Sequence, residues 1–191
     1  MRIVIYYMIT GLIIVSGLII WCSICEWCLH KFVMHNPPFG FTYAYKAHTK
    51  VHHNVFKYDE TYHVQNNEDI KTIPMAKWNG IVISIMVGIP MLVFGYKMFL
   101  MAFIVSMGYY GVYEVMHWYM HLPRGRRIER MGVFRRMNGH HILHHRYMNK
   151  NYNVVLPFAD LVFGTLMMRS SVKFKQVKES YCVPDVQPKR K

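Results

Sequence analysis

The chain has 191 residues, of which 53% are hydrophobic, and it carries 16 methionines and a net charge of +13. This length predicts one domain, and this hydrophobic content is typical of a small membrane protein. The positive charge alone would suit nucleic acid, but the basic residues interrupt apolar segments that are too long for a nucleic-acid-binding module. We therefore expect no nucleic-acid partner, and we expect the basic residues to meet anionic lipid head groups.

The first predicted element is an apolar helix over residues 3 to 25, which is long enough to span a bilayer because a span needs about 20 residues. A cleaved signal peptide is the alternative, but only Arg2 precedes the apolar run and no A-x-A-like site follows it. We therefore expect an uncleaved membrane anchor. Its cysteines, Cys22, Cys25 and Cys28, have a helical spacing that is more typical of packing residues than of a zinc site.

A polar stretch follows over residues 36–77, and the chain is apolar again over residues 78–116. One continuous helix of that length would overshoot the membrane nearly twofold at about 1.5 Å per residue. The sequence at residues 95–97, Gly-Tyr-Lys, predicts a turn that divides this segment into a transmembrane hairpin. The first arm, residues 79–94, is short and crosses the membrane with little tilt or only in part.

A hairpin returns the chain to the side of the membrane that it left, so the polar segments before and after it share one face. The charges agree, because Arg2 and Lys97 would lie on the far side and the other 21 of the 23 lysines and arginines on the near side. By the positive-inside rule the near side is cytoplasmic. We expect a membrane-embedded domain over residues 1–169 and a basic, disordered tail over residues 170–191.

Eleven of the twelve histidines fall in four clusters, of which the first and the third lie at the ends of apolar segments. Neutral imidazole is the commonest metal-ligating side chain, and a single pair would more often be surface or core residues than ligands. Four clusters on one membrane face instead predict a site for two metal ions. The clusters are His30 and His35; His48, His52 and His53; His117 and His121; and His140, His141, His144 and His145.

The spacing and the chemistry of these clusters limit the kind of site. His117 and His121 are four residues apart and share one helix face, whereas the five-residue spacing of His30 and His35 indicates a frayed or turning helix end. A ferritin-like centre is not favoured, because such a site takes four glutamates as ligands, whereas the clusters here consist of histidines and E-x-x-H occurs only at residues 60–63 and 114–117. An all-imidazole site suits iron in oxygen chemistry, although it also suits zinc, copper and nickel, so the residues alone leave the metal open.

The series H-x4-H, H-x3-H-H, H-x3-H and H-H-x2-H-H around a membrane hairpin resembles the fatty acid hydroxylase and sterol desaturase superfamily. The stretch that closes the series, residues 140–145 with 150–153 and 156–165, resembles the closing signature of that superfamily. The resemblance covers about residues 26–166. The second box departs from the commonest form, since three residues rather than two precede its paired histidines.

The resemblance implies an all-α integral membrane fold, in which an N-terminal anchor and a transmembrane hairpin carry a cytoplasmic-side site for two Fe ions, with zinc as a substitute in purified protein. No catalytic residue beyond the metal ligands is expected. The ligands implied are His30, His35, His48, His52, His53, His117, His121, His141, His144 and His145. The candidates to hydrogen-bond these ligands are His140, His63, Asp160 and Glu114.

The activity implied is that of a lipid hydroxylase or monooxygenase in lipid metabolism or biosynthesis, with O2 as co-substrate. We expect a 2-hydroxylase-like attack on a C–H bond of a fatty acyl chain; a carotenoid or sterol hydroxylase or desaturase is the alternative. The chain has no H-P-G-G loop, so we expect a separate electron donor, cytochrome b5-like or ferredoxin-type. A histidine-rich metal-binding or transport protein is the alternative of a different class, but its ligands should lie within the bilayer, and residues 3–21 and 79–94 contain no histidine.

Overall fold

A computed structural model describes residues 1–76, 78–123 and 125–168. Helices dominate these ranges, which contain no strand, and the all-α prediction is confirmed. The tail predicted over residues 170–191 lies outside the described residues. In chain order the helices are α1 (Arg2–Cys28), a π-helix (Leu29–His35), a 3-10 turn (Pro38–Gly40), α2 (Tyr43–Tyr45), a second π-helix (Lys46–His52), α3 (His53–Val55), a 3-10 turn (Glu60–Tyr62), α4 (Asn67–Ile70), α5 (Asn79–Gly88), a 3-10 segment (Ile89–Phe94), α6 (Tyr96–His121), a 3-10 turn (Arg127–Arg130), α7 (Gly132–Arg146) and α8 (Phe158–Val162).

Among the described residues, two helical segments are long and apolar enough to cross a membrane. The first comprises α1 and the π-helix that continues it, a run of 34 residues from Arg2 to His35. At about 1.5 Å per residue this run exceeds a hydrocarbon core of about 30 Å, so the anchor extends well past the predicted end at residue 25. The second segment is α6, and both segments end in histidines.

The predicted hairpin is confirmed, and its turn lies at Gly95. This residue has φ +98°, in the left-handed region that favours glycine, and α6 begins directly after it. The first arm, Asn79–Phe94, combines α5 with a 3-10 segment and is shorter than α6. The arms approach closely at Gly80, where an added Cβ would lie 2.8 Å from the Tyr110 ring.

Helix α1 packs against this hairpin along its C-terminal half. The indole Nε1–H of Trp21 donates to the carbonyl of Val87 at 3.0 Å, and one turn further on the hydroxyl of Tyr109 donates to Glu26 at 2.7 Å. Along α6, the side chains of Ser106 and then Tyr109 hydrogen-bond Cys22 and then Glu26 of α1, so the two helices run in the same direction. Their histidine-bearing ends therefore lie at the same end of the helical layer.

The helix does not fray between His30 and His35, so that expectation is wrong. The chain instead widens into a π-helix, in which the backbone N–H of each residue bonds the carbonyl five positions earlier. The N–H of Asn36, for example, donates to the carbonyl of Lys31 at 3.1 Å. A five-residue spacing is only slightly more than one turn of such a helix, and the two imidazoles lie stacked with their centroids 5.1 Å apart.

Candidate metal centre

Four helix ends deliver the histidines to one buried cluster. The first π-helix supplies the first box, the second π-helix and the start of α3 supply the second, the end of α6 supplies the third, and α7 supplies the fourth. Ligand nitrogens within 4.8 Å of one another define two groups. The five-histidine group contains His30, His35, His48, His53 and His144, and the four-histidine group contains His52, His121, His141 and His145.

The remaining predicted ligand, His117, lies beside the four-histidine group. Its Nε2 is 3.2 Å from Nε2 of His52, and its ring centroid is 4.8 Å from that of His141. All ten predicted ligands therefore lie in one cluster. Their roles as metal ligands remain a prediction.

The nitrogens are spaced as ligands of a common ion would be. Nε2 of His48 is 2.9 Å from Nε2 of His30 and 3.1 Å from Nε2 of His53, while His121 and His141 face each other at 3.0 Å. Two nitrogens at right angles, each about 2.1 Å from a metal, are about 3.0 Å apart. The spacing of the imidazoles therefore suits metal coordination.

Backbone carbonyls fix the tautomers of several rings. The Nδ1–H of His30 donates to Tyr152 at 2.5 Å, and that of His144 donates to Lys150 at 2.8 Å. In the four-histidine group the acceptors are the carbonyls of Tyr62 for His121, Phe56 for His145 and Thr72 for His52. A carbonyl oxygen only accepts, so Nδ1 carries the proton and the lone pair of Nε2 points into the cluster.

The protonation states of His35 and His144 show whether a cation would be favourable between their Nε2 atoms. The hydroxyl of Thr49 donates to the carbonyl of Met34 at 2.6 Å, so it must accept from Nδ1–H of His35 at 3.2 Å. Both rings of the pair then have bare Nε2 atoms, which face each other at 3.1 Å. Two lone pairs at this distance repel each other unless a cation lies between them.

A proton is a poor candidate for that cation. Burial lowers the pKa of His144 to about 4. Burial and the neighbouring imidazoles also hold the pKa of His48 well below its usual value. Metal-bound imidazoles are neutral and normally donate their other N–H to a carbonyl, as these rings do. The donor set therefore fits divalent metal ions.

The model of the fatty acid hydroxylase family matches residues 15–165. The chain belongs to the fatty acid hydroxylase family. It is accordingly a helical membrane protein of the hydroxylase and desaturase superfamily. The family is known to use iron, and membership of it indicates an oxidoreductase. Neither a curated protein nor a solved structure matches the chain.

Asp160 does not hydrogen-bond an imidazole; it braces the loop after α7. Its carboxylate accepts the backbone N–H of Tyr152 at 2.9 Å and of Asn153 at 2.7 Å, and it also accepts the hydroxyl of Thr165 at 2.6 Å. Because the carbonyl of Tyr152 orients His30, Asp160 supports the site through the backbone. Asp160 therefore contacts the loop rather than a ligand imidazole.

The other three residues that were predicted to hydrogen-bond the ligands are His140, His63 and Glu114. His140 is buried outside both groups, and its carbonyl accepts from Asn151. The ring of His63 lies edge-on to the Tyr62 ring, with centroids 5.1 Å apart. Glu114 is half-buried on α6, and its Oε1 finds no hydrogen-bond partner within the described ranges.

Sequence reasoning missed two side chains that support the site, Thr49 and Glu26. Thr49 directly follows His48 and accepts from His35, a role that no spacing rule indicates. Glu26 is the only acidic residue in the first 58 positions, and it lies one helical turn before His30. An isolated carboxylate in an apolar helix was the signal that could have drawn attention to it.

An apolar pocket begins at the metal centre. His30 and Met34 line it near the histidines, and it continues between α1, α5 and α6 as far as Val87 and Ser106. Glu26 is among its lining residues. Its lining is almost entirely apolar, which suits a mostly apolar ligand.

Proposed function

We propose that the protein is an O2-dependent di-iron hydroxylase that acts on a C–H bond of a fatty acyl chain. The single observation that carries this proposal is the contact between the apolar cavity and His30. A cavity with one end at the metal centre and the other between membrane helices suits an extended hydrocarbon. Membership of the fatty acid hydroxylase family supports the same reaction.

Two iron ions in the two histidine groups would supply the oxidising power that an unactivated C–H bond requires. In the net reaction one oxygen atom of O2 enters the C–H bond, and the other is reduced to water by two electrons and two protons. The chain's own residues hold the imidazoles rigidly through their Nδ1–H bonds, and the apolar lining excludes water from the substrate. Zinc remains a substitute in purified protein, since imidazole also binds it.

We propose further that the metal centre faces the cytoplasm and that a separate acidic protein, cytochrome b5-like or ferredoxin-type, supplies the electrons. Arg135, Arg136 and Arg146 are exposed on α7, whose opposite face carries the fourth histidine box. Positive charge so close to the centre would favour encounter with an acidic donor. The lysine and arginine distribution supports the cytoplasmic side.

Mass spectrometry of lipids from cells that express the chain tests the reaction. The intact chain is compared with His144→Ala and with Met148→Ala. The second variant is the control, because Met148 is exposed and lies four residues after His144. We expect acyl lipids to gain one oxygen with the intact chain and with Met148→Ala but not with His144→Ala. Loss of two hydrogens would indicate a desaturase, and an oxygenated sterol or carotenoid would identify the other substrate classes. If no lipid changes when iron and a reductant are present, the acyl-hydroxylase proposal fails.

A further inference from the structure

The two histidine groups receive their orienting carbonyls from different parts of the chain. In the five-histidine group, Lys150 and Tyr152 of the closing loop, residues 150–154, accept from His144 and His30. In the four-histidine group the carbonyl acceptors all lie within residues 56–72. A change in the closing loop should therefore affect one group and spare the other.

Two carboxylates hold the closing loop. Asp160 accepts the N–H groups of Tyr152 and Asn153, as described above. Glu26 holds the loop to the membrane helices, since its Oε1 accepts the N–H of Val154 at 2.6 Å and its Oε2 accepts Nδ2–H of Asn153 at 3.0 Å. The Tyr109 hydroxyl of α6 donates to the same Oε2 at 2.7 Å.

The Asn153 amide cannot turn to suit a different partner. Its Oδ1 accepts the N–H of Asp160 at 3.1 Å, and its Nδ2 also donates to the carbonyl of Ser23 at 2.8 Å. Nδ2 must therefore face Glu26, and so must the N–H of Val154. A glutamine at position 26 has one acceptor oxygen for these two donors, so its own amide N–H groups would oppose one of them.

We propose that Glu26 is a positioning residue for the five-histidine group alone. By holding Asn153 and Val154 it keeps the intervening loop backbone in place, and the Tyr152 carbonyl then fixes the tautomer and the direction of the His30 ring. This inference rests on the proposed function, in which each group holds one metal ion. Loss of the groups that orient metal-bound imidazoles typically lowers metal affinity by about 10–100-fold.

The test is the metal content of Glu26→Gln, measured by elemental analysis and Mössbauer spectroscopy of purified, iron-loaded full-length protein. At the same low concentration of free iron, we expect two ions per chain in the intact protein and one in the variant. The variant should bind the second ion when the free-iron concentration is raised. Tyr109→Phe removes one donor but leaves both loop contacts, so it should keep two ions. Glu68→Gln makes the same substitution at an exposed site and should also keep two.

Double variants identify which ion is lost. Adding His35→Ala to Glu26→Gln should cause no further loss, because both changes act on the five-histidine group, whereas adding His141→Ala should remove the remaining ion. Retention of both ions by Glu26→Gln, or loss of the ion from the four-histidine group, would overturn the inference. Glu26→Asp keeps both acceptor oxygens on a shorter side chain, so its affinity for the ion in the five-histidine group should lie between those of the intact protein and Glu26→Gln. This variant replaces Glu26→Gln in the test if the glutamine variant does not fold. An intact chain without metal would instead refute the proposed function.

Discussion

Replacing Gly80 with alanine would place a methyl group against the ring of Tyr110, where the hairpin arms approach closely. The added Cβ would lie 2.8 Å from Cδ1 and 2.9 Å from Cε1 of that ring. Ordinary contact between carbon atoms begins at about 3.5 Å, so the overlap is roughly 0.6–0.7 Å. The ring lines the cavity, and its displacement would also change the shape of the substrate site.

The energetic cost follows from overpacking, which is typically about 1–3 kcal/mol. Gly108→Ala is the matched control, because Gly108 lies on α6 with nothing within 4 Å of the added Cβ. There the substitution should gain up to about 1 kcal/mol of helix propensity. The two variants should therefore differ by about 1–4 kcal/mol, and at about 2–4 °C per kcal/mol for a chain of this size Gly80→Ala should melt roughly 2–16 °C below Gly108→Ala.

Thermal unfolding of both variants in the same detergent measures this difference. The double variant Gly80→Ala with Tyr110→Ala adds a check, because removing the ring should relieve the overlap and make the two changes non-additive. Equal melting temperatures for Gly80→Ala and Gly108→Ala would refute the close packing of the hairpin arms at Gly80.

Three further predictions concern the metal centre. Thr49→Val removes the acceptor of His35 and should lower metal affinity by about 10–100-fold, as metal titration would show, whereas Thr49→Ser should not. Asp160→Asn leaves a buried amide facing backbone donors and should lower the free energy of unfolding by about 2–4 kcal/mol; an unchanged denaturant midpoint would contradict the bracing role. In metal-free protein, imidazoles such as His144, with a pKa of about 4, resist protonation when folded but not when unfolded. Stability should therefore be complete above about pH 6.5 and fall below it by about 1.4 kcal/mol per pH unit for each such histidine, so a melting temperature unchanged between about pH 7.5 and about pH 5.5 would contradict this burial.

The sequence predicted the parts of the fold that depend on composition and on regular spacing. The apolar anchor and the turn at Gly95 follow from hydropathy and from a glycine that can adopt positive φ, and the four-residue spacing of His117 and His121 fixes their common face. The face shared by His30 and His35 was not predictable in this way, because a π-helix has no local pattern that separates it from a helix end.

The contacts that orient the imidazoles could not be predicted from the sequence either. Their acceptors are mostly backbone carbonyls, which every residue has, so only the folded chain selects Tyr152 for His30 or Phe56 for His145. Glu26 is different, because a carboxylate in an apolar helix requires donors, and its presence predicts that some segment must supply them. Which segment does so depends on tertiary contacts about 130 residues away in sequence.

The position of the closing loop has a consequence for the order in which the centre is completed during synthesis. His30 is the first histidine to be translated, yet its acceptor Tyr152 follows 122 residues later. A nascent chain that has reached Arg146 already contains every proposed ligand but not the carbonyls that orient His30 and His144. The five-histidine group is therefore the last part of the centre to be completed. A stop codon just after the final histidine box would leave this group with all its imidazoles, but His30 and His144 would lack the carbonyls that orient them.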